Sequence, residues 1–169
     1  MKHRSFTHAL RLTTLCLATL ATPLAWSLEV GAAAPELNLP GLKDAVSLAQ
    51  LKGKVVYVDF WASWCGPCKQ SFPFMNELKA KYGAKGFEVV AVNLDAKRGD
   101  ADKFLAEVPA QFTVAFDANG ESARRYEVKG MPSSYLVGRD GKIASSHKGF
   151  HEQDRAELES RIAKVLGTP

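Results

Sequence analysis

Two nearly continuous apolar runs dominate the hydropathy pattern, Val55-Val56-Tyr57-Val58-Asp59-Phe60 and Phe87-Glu88-Val89-Val90-Ala91-Val92-Asn93. Runs of this length read as buried strands. Between them, Phe72, Met75, Leu78 and Tyr82 recur at helical spacing, which predicts a helix from Gly66 to Tyr82. Pro73 falls inside it and is expected to kink it by removing a backbone donor, and Gly83 and Gly86 end it. Further on, Asp100 to Glu107 reads as a helix with Phe104 and Leu105 inward. A short strand, Phe112 to Phe116, and a short helix, Gly120 to Tyr126, follow. Ser133 to Val137 and Ile143 to Lys148 read as strands joined by the turn signal Arg139-Asp140-Gly141-Lys142. The last helix runs from Glu152 to Leu166, with Leu158, Ile162 and Val165 on one face. Upstream, Leu28 to Lys54 shows only short alternations, Glu36-Leu37-Asn38-Leu39 and Val46-Ser47-Leu48, as in a small hairpin or extended segment.

The first half of this order needs parallel crossovers, and the second contains an antiparallel hairpin. The expected architecture is one α/β domain with a central mixed β-sheet and helices on both faces. A length of 169 residues, 46% hydrophobic and 24% charged, suits one such domain with a sizeable core. There are no internal repeats and no obvious linker.

Residues 1–27 stand apart. Lys2, Arg4 and Arg11 form a basic start, Leu12 to Leu24 is apolar or hydroxylic, and Ala25-Trp26-Ser27 offers small residues where a signal peptidase reads. This predicts a secretory signal peptide over 1–27, cleaved after Ser27, with a domain over 28–169. The alternative is an uncleaved N-terminal anchor, although the apolar run is shorter than the ~20 residues of a comfortable span. A lipid-attachment reading of Cys16 is weaker, because Leu15 stands where a small residue is wanted. The leader holds three of the 22 basic residues and none of the 18 acidic ones, so the remainder carries 19 against 18. The apparent basicity is therefore largely a targeting signal, and there is no basic stripe with interleaved aromatics to suggest nucleic acid binding. Losing Cys16 with the leader leaves Cys65 and Cys68, an even count suited to an oxidising compartment.

Those two cysteines carry the chemistry. Trp64-Cys65-Gly66-Pro67-Cys68 joins the first strand to the first helix. A thiol there faces orphan N–H groups and the positive end of the helix dipole, which stabilise a thiolate. Cys65 is the expected attacking sulfur and Cys68, one turn in, the resolving one. Pro67 needs no donor in the first turn. A purely structural disulfide would gain little from so short a loop, and zinc would need a second ligand pair. Asp59 lies in a strand that reads buried, where a raised pKa would suit it to take the proton of Cys68; the alternative is a strand-end carboxylate facing water. Met131-Pro132 enters a strand after Gly130, a place for a cis peptide. Trp61 and Trp64 flank the site, and His147 and His151 are expected at the surface rather than as ligands.

Val58-Asp59-Phe60-Trp61-Ala62-Ser63-Trp64-Cys65-Gly66-Pro67-Cys68-Lys69, with Pro73 and Gly130-Met131-Pro132-Ser133, resembles the thioredoxin superfamily. The leader, Ala34-Pro35-Glu36-Leu37-Asn38-Leu39 and the helix-bearing stretch 100–107 resemble its exported TlpA-like and ResA-like branch. The resemblance covers about residues 34–166. It implies a thioredoxin fold with an N-terminal hairpin extension and an inserted helix-bearing segment. Cys65 and Cys68 would form the redox disulfide, with Asp59 and the cis-proline Pro132 beside them as catalytic residues. Trp64, Gly66, Pro67 and Met131 would form the substrate-binding surface. Two departures stand out. ResA-like proteins often carry a glutamate where this chain has Ser71 and often lack an acid at Asp59. The lysine that thioredoxins place near that acid is also missing from Val89-Val90-Ala91-Val92.

The resulting expectation is a periplasmic thiol:disulfide oxidoreductase that reduces protein disulfides. It would be supplied by a membrane thiol-electron transporter, and cytochrome c maturation is one setting for it. Neither cofactor nor metal is expected, and the mature chain is expected to be a monomer without stable membrane insertion. Two alternatives use the same cysteines. A thiol peroxidase would need a Pro-x-x-x-Thr-x-x-Cys loop, which is missing. A copper metallochaperone would need wider cysteine spacing with His147 or His151 as a third ligand.

Overall fold

Alternation along β3 (Val55–Trp61) sorts the core into two layers. Val55, Tyr57 and Trp61 join one apolar cluster, and Val56, Val58 and Phe60 join the other. The computed structural model describes residues 28–167, so the expected leader over 1–27 lies outside the described residues. β3 is the middle strand of five. It pairs in parallel with β4 (Phe87–Asn93), which pairs in parallel with β5 (Thr113–Phe116). On its other side it pairs antiparallel with β6 (Ser133–Val137), which pairs antiparallel with β7 (Ile143–Lys148). The order β5-β4-β3-β6-β7 is the mixed sheet the sequence predicts.

Three helices cover the first layer. α1 (Gly66–Tyr82) contributes Phe72, Phe74, Met75 and Leu78, α2 (Arg98–Glu107) contributes Ala101 and Phe104, and α4 (Arg155–Leu166) contributes Leu158 and Ile162. α1 runs through Pro73 without interruption and closes at Gly83, and a single 3-10 turn then leads to Gly86 at φ 85°. Only glycine adopts that conformation freely. α2 starts two residues earlier than expected. Arg98 anchors that start, lying 3.6 Å from the ring centroid of Phe116 and bonding Asp102.

The second layer is covered differently. The short helix α3 (Glu121–Arg125) supplies Ala123, Tyr126 follows it, and the N-terminal extension supplies the rest. That extension is a hairpin of two-residue strands, β1 (Asn38–Leu39) and β2 (Val46–Ser47), which buries Leu37, Val46 and Leu48 against the sheet. It also crosses the edge of β5, where Pro40 accepts the Phe116 N–H and Gly41 bridges Ala115. A Cβ on Gly41 would stand 2.3 Å from the Asp44 carbonyl, so only glycine fits this crossing.

Candidate active site

α1 begins where β3 ends, and the turn between them presents the dithiol. Cys65 occupies the N-cap position with extended backbone, and its Sγ accepts the Cys68 N–H at 3.2 Å. The sulfur thus takes the place that a serine or aspartate oxygen takes in an ordinary cap, satisfying one of the orphan N–H groups of the helix start. Cys65 and Cys68 form a disulfide with Cα atoms 5.3 Å apart. Cys65 retains 5% exposure while Cys68 has none, the asymmetry expected of an attacking and a shielded sulfur. Trp64 is 73% exposed beside them, and Gly66 and Pro67 are exposed as well. Trp61 is fully buried under the turn, where Phe72 and Phe104 meet its ring at 4.9 and 4.7 Å between centroids.

Asp59 lies between Tyr57 and Trp61 on β3, so alternation points it to the same layer as the two cysteines. It is buried, and its Oδ2 has no hydrogen-bond partner among the described residues. Burial alone holds its pKa well above the usual carboxylate range. Its neighbour on β4 is Ala91, so no cation from that strand opposes the shift. Ser71, where a glutamate is common in ResA-like chains, is buried and donates to the Cys68 carbonyl at 3.0 Å. The Met131–Pro132 peptide is cis, with Met131 half-buried against the cluster that holds both cysteines. Pro132 accepts the Gly149 N–H, and Ser133 Oγ donates to the Gly130 carbonyl, which fixes this loop.

Sequence reasoning passed over a clamp under the turn. Asp95 accepts from Ser63 N–H at 2.9 Å and Ser63 Oγ at 3.0 Å, and Asn93 Nδ2 donates to it at 2.7 Å. Asn93 ends β4 and Asp95 follows just beyond it; both are buried polar residues where the apolar run closes. That was the available signal, since a buried carboxylate needs partners. His147 also differs from expectation. Its side chain is 24% exposed, and its buried Nε2 lies 3.4 Å from Asp154. His151 is exposed, as expected, and its N–H donates to the same Asp154 carboxylate. No group of three or more His, Cys, Asp or Glu side chains gathers to hold a metal ion among the described residues.

A capped, near-surface sulfur bonded to a buried one, on a mixed sheet flanked by helices, defines a thioredoxin-fold dithiol protein. The Redoxin family model matches residues 29–166. The thiol-disulfide oxidoreductase ResA of Bacillus thuringiensis is 36% identical, over 82% of this chain and 79% of its own. That of Oceanobacillus iheyensis is 39% identical, over 76% and 70%. A crystal structure from Chlorobium tepidum, assigned as a thiol:disulfide interchange protein DsbE, is 60% identical with a TM-score of 0.82, covering 83% of this chain and all of that one. The chain belongs to the Redoxin family, as a ResA- and TlpA-like member of the thioredoxin superfamily, and is a thiol:disulfide oxidoreductase.

Proposed function

We propose that the protein is exported to the periplasm by residues 1–27 and reduces protein disulfides there. The Cys65 thiolate attacks the partner disulfide, forming a mixed disulfide and releasing one partner thiolate. Cys68 gives its proton to Asp59 and attacks Cys65 Sγ, which closes the Cys65–Cys68 disulfide and releases the second partner thiolate. Two electrons pass to the partner. A membrane thiol-electron transporter supplies two more to reopen the Cys65–Cys68 disulfide, and cytochrome c maturation is the setting in which such a reductant would serve.

One observation carries the reading: a capped sulfur with slight exposure, a fully shielded sulfur three residues on and a buried carboxyl whose Oδ2 has no partner among the described residues share one layer of the fold. Trp64, Gly66, Pro67 and Met131 supply the surface that receives the partner, with the buried Pro132 behind Met131. No helix among the described residues is long and apolar enough to cross a membrane. The direction of electron flow is tested by equilibrating the dithiol against thiol buffers. A reductant is expected to lie nearer the about −270 mV of thioredoxin than the about −120 mV of a strong oxidant. A value at the oxidising end would reverse the assignment.

A further inference from the structure

Three buried side-chain atoms lack a hydrogen-bond partner among the described residues: Asp59 Oδ2, Trp61 Nε1 and His147 Nε2. Two of them end a single row. Ser134 on β6 lies directly opposite Asp59 on β3 and directly opposite His147 on β7. Such cross-strand neighbours share a face, with Cβ atoms about 4.5–5.5 Å apart. Ser134 Oγ accepts from the buried Tyr57 Oη at 2.7 Å. A hydroxyl has two lone pairs and one hydrogen, so Ser134 still has one site to receive a proton and one hydrogen to pass on. Tyr57, Ser134, His147 and Arg161 line a single small cleft of about 10 Å³ between the sheet and α4. At its outer end His147 Nε2 faces Asp154 at 3.4 Å, with side chains 24% and 20% exposed.

We propose that Asp59, Ser134 and His147 form a proton outlet across the sheet, through which the proton taken from Cys68 leaves while the partner covers the cysteines. The proposal rests on the reading of Asp59 as proton acceptor and deepens it. No hydrogen bond closes either gap of the row in the disulfide form, so Asp59 passes its proton to Ser134 Oγ, and Ser134 its own hydrogen to the His147 imidazole, as these side chains rotate into contact. The imidazolium, opposed by Asp154, releases a proton to water. The departing partner thiolate takes its proton from water on its own side, so no oxidant or reductant beyond the disulfide is involved. Beside Asp59 stand Tyr57 on its own strand and Ala91 and Ser134 on the flanking strands. Around His147 stand Asp154 and Arg161, the latter tied to Glu157. His147 and Ser134 act through Asp59 and are positioning residues.

The test follows closure of the mixed disulfide by rapid mixing of the reduced protein with insulin, which covers the site, and with hydroxyethyl disulfide, which does not. His147→Ala and Ser134→Ala are expected to slow closure about tenfold with insulin and markedly less with the small disulfide. Added imidazole is expected to restore the His147→Ala rate. Equal slowing with both substrates and no imidazole rescue would mean a packing defect and overturn the outlet. So would wild-type rates in both variants while Asp59→Asn remains slow, a result that leaves the Asp59 reading standing. A wild-type rate in Asp59→Asn would remove that reading and the outlet with it.

Discussion

Asp59 is held in the core by sheet geometry rather than by any partner. Between Tyr57 and Trp61, it has no hydrogen bond to offset its desolvation. Its folded-state pKa therefore exceeds that of the unfolded chain, and the native protein keeps a proton the unfolded chain has lost. Stability must then fall as the pH rises from about 4 toward the raised value, by at most about 1.4 kcal/mol per pH unit, and level off above it. Asp59→Asn removes the effect. Guanidinium unfolding of the oxidised proteins is expected to show a wild-type deficit relative to Asp59→Asn that grows across that window. A difference independent of pH would contradict the burial argument. At the cysteines, the cap contact on Cys65 Sγ predicts a thiol pKa below the ordinary about 8.5, measurable by alkylation rate against pH.

At the scale of elements, the turn that carries the dithiol is fixed from below by its neighbours. The β4–α2 connection brings Asp95 under Ser63, and α2 brings Phe104 against Trp61 and Phe72. Asp95→Ala leaves the Ser63 N–H without its acceptor and is expected to cost about 1–3 kcal/mol. Asp95→Asn keeps an acceptor oxygen and is expected to cost less. Phe104→Ala opens a cavity in an aromatic cluster and is expected to cost about 3–5 kcal/mol. Chemical unfolding checks all three, and an Asp95→Ala protein as stable as wild type would show that the clamp carries no weight. The elements themselves were largely legible, because strands buried on both faces leave continuous apolar runs and α1 leaves a helical repeat. The clamp was not, because Asn93 and Asp95 acquire meaning only when β4 lies beside β3 and brings Ser63 within reach. For the same reason His147 read as a surface residue: its register opposite Ser134 and its proximity to Asp154 come from β7 and the following turn folding back, which periodicity cannot supply.

At the scale of the molecule, the two layers divide the work. The layer under α1, α2 and α4 holds both cysteines and Met131, whereas the hairpin extension and α3 close the opposite face. The account also requires the molecule to leave the cytoplasm. Mass spectrometry of the protein recovered from the periplasm is expected to find a chain beginning at Leu28, and an intact N-terminus would point instead to an anchor. The central claim, that Cys65 attacks protein disulfides and Cys68 resolves them, is tested most directly by trapping in the native compartment. Cys68→Ala is predicted to accumulate partner proteins in mixed disulfides on Cys65 that a reducing agent releases, with none accumulating on Cys65→Ala. Partners held equally by both variants, or by neither, would contradict it.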